Sequence, residues 1–447
     1  MLPSIKPVSF VVTLFLPLMG LLSVPILAET YTLQEAISKA QSLDPWITGS
    51  LKRQESIDAR SIEAGTLPDP QVNMGIANLP IDNLDFSQEA MTQFKVGVSQ
   101  MFPRGKTLSL QQEKLQRLSE MQPYARADRK AKVAVVVAEL WLEAFRNHLT
   151  IQLIEQDRSL FQHLVDVAQS NYTSASGRTR QQDVVRAQLE LTRLDDRLTQ
   201  LYLQSDVYLA KLAEWLSDPS ISLSDKAWQS EPLTVLRHLE SKNTGNVAYL
   251  NTVSEVLIQH PSILSLNQKL SAFDSGVEIA KQSYKPQWGV NASYAYRDDS
   301  PMGDERSDFF SVGVTFDLPI FTGNRQDKRV QSAKAELEEV KTEKVLLLRQ
   351  LKAQLESTKA KYLRLVERKT LFEQRLLKEM ADHAEASLSA YTHDDGDFEE
   401  VVRARIAELN ARIDALNISI DIQKAVAQLN YFYAGITFST DLNKQSR

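Results

Sequence analysis

The stretch Phe310-Ser311-Val312-Gly313-Val314-Thr315-Phe316-Asp317-Leu318 alternates apolar with small or polar residues without a break. Period two puts the apolar side chains on one face of a strand and the polar ones on the other. Much of it occurs earlier as Phe94-Lys95-Val96-Gly97-Val98-Ser99. Two more segments alternate likewise. Val72, Met74 and Ile76 interleave with Gln71, Asn73 and Gly75, and Trp288, Val290, Ala292, Tyr294 and Tyr296 interleave with Gln287, Gly289, Asn291 and Ser293. Four strands are therefore expected, over 71–79, 93–102, 287–297 and 310–318. About 9–11 such residues suffice to cross a bilayer at a tilt. An ordinary sheet packed on a helix gives the same pattern for any one hairpin. Lys95 and Asp317 on the polar face, with acid-rich loops at 82–89 and 297–308, favour a wet lumen instead. Four strands cannot close a barrel, for which about eight is the small limit, and open edges are not tolerated in lipid. Membrane-spanning strands must then be shared between chains, so an obligate oligomer is expected, with eight strands from a dimer or twelve from a trimer.

The duplication extends beyond the strands. Pro45 returns as Pro261, Pro70-Gln71 as Pro286-Gln287, and Pro103 as Pro319, each 216 residues on, like Phe94 and Phe310. Val184-Val185-Arg186-Ala187 returns 217 residues on as Val401-Val402-Arg403-Ala404. Two copies of one unit are expected, at 29–215 and 247–435, joined by the Pro- and Ser-containing segment 216–246 and followed by a tail at 436–447. Each copy reads as a helical stretch (33–64, then 247–284), two strands, a helix of more than sixty residues (106–172, then 326–391) and an antiparallel return (180–215, then 398–433). Leu337, Val340, Lys344, Leu347, Leu351, Leu355, Thr358, Tyr362, Leu365, Lys369, Phe372 and Leu376 follow at spacings of three and four, a sustained heptad seam. A helix of that length spans roughly 90–100 Å. Pro123 is expected to interrupt the first long helix with a kink near Met121.

Composition narrows the function. The 447 residues carry a net charge of −6, so a general nucleic-acid binder is disfavoured. There is no cysteine, which excludes disulfides, thiolate metal sites, Cys nucleophiles and Cys lipidation. Residues 1–28, with Lys6, an apolar run from Val8 to Val24 and Ile26-Leu27-Ala28, read as a cleaved signal peptide. The six histidines show no ligand spacing, and no nucleophile elbow, phosphate loop or metalloprotease signature occurs. No metal site, no cofactor and no enzymatic activity are expected.

Several short motifs, duplicated and in order, carry a resemblance. They are Tyr31-Thr32-Leu33-Gln34-Glu35-Ala36-Ile37 with Asp44-Pro45, Ala64-Gly65-Thr66-Leu67-Pro68-Asp69-Pro70, and Phe102-Pro103-Arg104-Gly105-Lys106. In the second half they are Lys285-Pro286 and Asp317-Leu318-Pro319-Ile320-Phe321-Thr322-Gly323-Asn324-Arg325, with Tyr172, Gly177 and Asp183 matched by Tyr391, Gly396 and Glu400. The chain resembles the TolC-type outer-membrane efflux proteins. The resemblance implies a mainly α fold with a small β part. Each chain gives long coiled helical hairpins and four strands, and a homotrimer forms a twelve-stranded β-barrel continued by an α-helical barrel. It implies a Gram-negative outer membrane, outer-membrane lipid around the barrel, a periplasmic adaptor (membrane fusion) protein, and an inner-membrane pump, expected to be of RND type. Leu67-Pro68-Asp69-Pro70, Ala77-Asn78-Leu79-Pro80 and Gln100-Met101-Phe102-Pro103 look most like the heavy-metal (CusC- and CzcC-like) branch, hence heavy-metal efflux. Multidrug efflux and type I secretion are the alternatives within the fold, and a periplasmic coiled-coil scaffold without a pore is the alternative outside it.

In that family the helix-hairpin tips form the periplasmic entrance. Here the first tip is basic, with Arg178 and Arg180 beside Asp183; the second is acidic, with Asp394, Asp395, Asp397, Glu399 and Glu400 before Arg403. The opposite charges suggest that Arg178 or Arg180 pairs with the acidic segment to hold a gate closed. Arg403 departs from the acids common in the family at that place. Tyr172, Gly177, Tyr391 and Gly396 are the expected adaptor-docking turns. Lys95, Asn291 and Asp317 are the pore-lining candidates, Asp317 being equally readable as a hydrogen bond at a strand end.

Overall fold

The computed structural model describes residues 31–173, 181–218, 255–393 and 397–435. The signal peptide expected at 1–28, nearly all of the joining segment and the tail lie outside the described residues.

The first helical stretch splits in two. Helix α1 (Leu33–Leu43) starts at a capping box: Thr32 Oγ1 accepts from the Glu35 N–H at 3.3 Å, and the Glu35 carboxylate accepts from the Thr32 N–H at 2.9 Å. Asp44 ends α1 and caps α2 (Pro45–Ala64), accepting from the Trp46 N–H at 3.0 Å ahead of a proline suited to the first turn.

The strands are β1 (Gln71–Ala77), β2 (Gln93–Phe102), β3 (Trp288–Tyr296) and β4 (Phe309–Phe316). They form one antiparallel sheet in the order β1-β2-β3-β4, so β2 and β3 join the two halves of the chain. Val96 lies opposite Met74 and Tyr294, whereas Gly97 lies opposite Asn73 and Ser293. The register therefore collects the apolar positions of all four strands on one face. Nothing among the described residues covers that face: Met74 is 71%, Phe310 72% and Val312 65% exposed. The two edge strands, β1 and β4, have no further neighbour among the described residues. Three of the expected strands shift by one or two residues at an end, and Asp317 and Leu318 fall just beyond β4.

The long helices are α3 (Thr107–Thr173), α4 (Gln181–Leu216), α5 (Pro261–Gln282), α6 (Gln326–Leu371), a π-helical turn (Phe372–Leu376), α7 (Leu377–Thr392) and α8 (Phe398–Phe432). Pro123 does not interrupt α3, which runs unbroken through it. A proline removes one intrahelical bond, and here neighbours on both sides supply packing: α2 and α5 both lie against α3. Ser265 of α5 also hydrogen-bonds the Met121 carbonyl at 3.4 Å. The heptad seam holds, with Val340, Leu351, Leu355 and Phe372 buried and the other members half-buried. No helix among the described residues is long and apolar enough to cross a membrane.

Three apolar clusters run along the helices. One packs α1 against α3 and α4 around Trp141 and Phe145, whose rings stack at 5.0 Å. A second joins α3, α4 and α8 from Ile151 to Phe398, and a third sits around Ile263, Leu355 and Leu429. Ionic and polar ties fix α3 to α8 across the halves: Asp157 with Arg412, Arg146 with Asp421, Glu143 with Lys424, and Glu139 with Gln428.

Candidate functional site

The functional candidates gather at the two ends of the helical hairpins. At the tip, Asp397 caps α8 by accepting from the Glu399 N–H at 3.2 Å. Phe398 is buried, meets Tyr391 edge-to-face at 5.5 Å and joins the cluster that includes Val184 of α4. That packing brings the first turns of α4 and α8 together. Glu399 is then held by two arginines, Arg186 of α4 and Arg403 one turn along α8. Glu400 pairs with Arg403 at 3.1 Å and lies 3.6 Å from His383 Nε2 on α7. Asp183 is buried in the first turn of α4, and Tyr172 stands exposed near the end of α3. Arg178, Arg180, Gly177, Asp394, Asp395 and Gly396 lie outside the described residues. Arg186 was not among the residues expected here. Its signal was the repeat itself, since Arg186 and Arg403 occupy the same place in the two Val-Val-Arg-Ala copies. These partly exposed ion pairs contribute about 0–1 kcal/mol each, so only together can they bias the tip.

At the other end, the polar face of the sheet borders a cleft. The cleft of about 390 Å³ is lined mainly by that face, including Asn73, Lys95, Ser99, Asn291 and Ser293. Asn291 lies over Gly313, where a Cβ would stand 2.7 Å from its Oδ1.

Asp317 belongs to the junction between sheet and helices. Its carboxylate accepts from the Gln287 N–H at 2.7 Å and pairs with Arg104, which also donates to the Lys285 carbonyl at 2.6 Å. The Lys106 N–H donates to Gln282 Oε1 at 3.1 Å. Gly105 makes this approach possible: φ is +48°, and a Cβ there would come within 2.5 Å of Gln282 and Lys285. The junction thus ties the first repeat to the second. At the loop end, Arg306 donates to the carbonyls of Ser87 at 3.0 Å and Glu89 at 3.4 Å, joining the β1–β2 and β3–β4 loops. Among the described residues, no group of three or more His, Asp or Glu could hold a metal ion.

A family model described as outer membrane efflux protein matches residues 252–433, which span α5, the second hairpin of the sheet and the second pair of long helices. The chain is similar to this family over its second half, 182 of its 447 residues. Its fold is shared with solved channels. An outer-membrane channel, OprN, superposes with a TM-score of 0.72 at 13% identity, over 90% of each chain. CusC, whose structures describe folding and transmembrane channel formation, gives 0.72 at 14%, over 90% of this chain and 93% of that one. The outer membrane protein VceC of Vibrio cholerae gives 0.70 at 15%, over 90% and 96%. No curated protein matches in sequence.

Proposed function

We propose that the chain is the exit duct of a tripartite efflux system, assembled as a homotrimer. The observation that carries this is the sheet: a face apolar but for Gln100, uncovered among the described residues, and two edges unpaired among them. Three copies supply twelve strands, which closes a barrel and removes every edge from lipid. The helices continue the duct into the periplasm, where the tips meet an adaptor protein and, through it, an inner-membrane pump of the RND type. Tyr172 and Tyr391, with the turns beyond them, are the adaptor contacts on this reading. The Arg186–Glu399–Arg403 cluster, with Glu400 and Asp397, is the gate that adaptor docking loosens.

Heavy-metal ions are the proposed cargo class, on the motif resemblance to the CusC-like branch. Multidrug efflux is the competing cargo. A susceptibility panel on a deletion strain and its complemented control decides between them. Sensitisation confined to a few of copper, silver, zinc, cadmium, cobalt and nickel supports metal efflux. Broad sensitisation to dyes, bile salts and antibiotics makes the duct a drug exit. Sensitisation to nothing contradicts efflux.

A further inference from the structure

Of all the residues in the four strands, only Lys95 carries a formal charge. It stands on the polar face, exposed, two residues inside the loop end of β2. Its cross-strand neighbours are Gly75 and Ala295, so no side chain beside it on either strand can neutralise it. The cleft around it is lined by amides and hydroxyls from Asn73, Ser99, Asn291 and Ser293, which are neutral. The opposite face of the sheet holds no charge at all. A barrel built from this sheet therefore has one kind of fixed charge in its wall, an ammonium from each chain.

We propose that Lys95 sets the charge selectivity of the barrel section, favouring anionic cargo over bare cations. The inference rests on the exit-duct reading, since it needs the polar face to enclose a pore. Fixed charges in a narrow, low-dielectric wall raise the local concentration of counter-ions and lower that of co-ions. The loops beyond Lys95 are acidic, with Asp82, Asp85 and Glu89 on one side and Asp298, Asp299, Asp304, Glu305 and Asp308 on the other. The duct thus places a positive ring beneath a negative rim. Removing the ammonium makes the local potential more negative whatever the rim contributes, so the sign of the effect is fixed. A metal ion on this route passes more readily as an anionic complex than as the bare dication.

The test uses the full-length protein in planar bilayers under a tenfold KCl gradient, with wild type, K95R, K95Q and K95E. The chloride-to-potassium permeability ratio should fall by roughly two- to fivefold at each step from Lys to Gln to Glu, the size expected for one charge per chain acting over about a Debye length. K95R should match wild type. In 1 M salt the differences should shrink, because the screening length drops to about 3 Å. Channels that form normally but keep one reversal potential across all four proteins overturn the inference and leave the duct intact. A wild-type protein that forms no channel overturns the duct reading, and the inference with it.

Discussion

The two ends of the molecule are built on opposite principles. At the hairpin tips, charge is plentiful and paired: Glu399 lies between Arg186 and Arg403, and Glu400 between Arg403 and His383. In the sheet, charge is nearly absent and the one ammonium has no acidic neighbour on its strands, while apolar side chains that would be a core elsewhere stand bare. If the tip is the gate proposed above, many weak, water-exposed ties suit it better than a packed core. A sheet that must sit in lipid needs its hydrophobic face outermost. On the proposed reading, the difference lets one chain serve two solvents.

The largest expected effect comes from inverting the sheet's arrangement. Val312→Arg places a charge on the apolar face and should cost about 2–4 kcal/mol near the bilayer midplane, with loss of the assembled, detergent-extracted oligomer. Ser311→Arg, one residue away on the polar face, should assemble normally; equal loss for both would mean the faces are not lipid and water. A comparable loss of about 3–5 kcal/mol is expected for Trp141→Ala, which empties the cluster joining α1, α3 and α4, read as a lowered denaturation midpoint.

Much of this contrast was legible in the sequence because both periods are strong. The alternation in Phe94–Ser99 and Phe310–Leu318 located the strands within a few residues, and the heptad seam predicted which residues of α6 turn inward. Pro123 misled, because the local rule that a proline breaks a helix ignores neighbours that hold both sides of it. The pairing at the tip was not legible from charge sign alone. Arg178 and Arg180, the expected partners of the acids, lie outside the described residues, and the described contacts of Glu399 come from Arg186 and Arg403. Side-chain partners depend on which helical faces meet, and that was set by Phe398 packing beside Val184, a contact between residues far apart in the chain. Asp317 was readable as a hydrogen bond at a strand end, and it accepts from the Gln287 N–H; only its partner Arg104, from the first half of the chain, was not legible.

A smaller effect separates the helices from the sheet by pH. His260 is fully buried: Nε2–H donates to the Tyr431 carbonyl at 3.1 Å, and Nδ1 accepts from the Ser262 N–H at 3.3 Å. Burial lowers its pKa below the usual histidine value, against the opposing pull of Asp128, which accepts from Tyr431 Oη at 2.9 Å and pairs with Lys132 at 2.7 Å. The folded state thus binds the proton more weakly than the unfolded chain. Stability is fully present above the unfolded pKa of about 6.5 and falls as pH drops below it, by at most about 1.4 kcal/mol per unit until the folded pKa is reached. Thermal melts between pH 8 and 5 should show this decline in wild type and a flatter profile in His260→Gln. An equal slope in both would remove His260 from the account.

The smallest effect is expected at the tip. Arg186→Ala and Arg403→Ala should each change stability by less than about 1 kcal/mol, because both pairs are partly exposed. Together they should raise single-channel conductance, and an unchanged conductance in the double variant would contradict a gate built on Glu399.

The central claim, that the two faces of the sheet meet lipid and water respectively, is tested most directly by cysteine labelling. The chain has no cysteine, so each introduced thiol reports alone. Thiols placed one at a time at Ser311, Gly313 and Thr315, and at Val312, Val314 and Phe316, are exposed to a charged maleimide in intact outer membranes. The account predicts labelling at the first three positions and protection at the second three. Labelling at all six, or protection that follows no alternation, would contradict it.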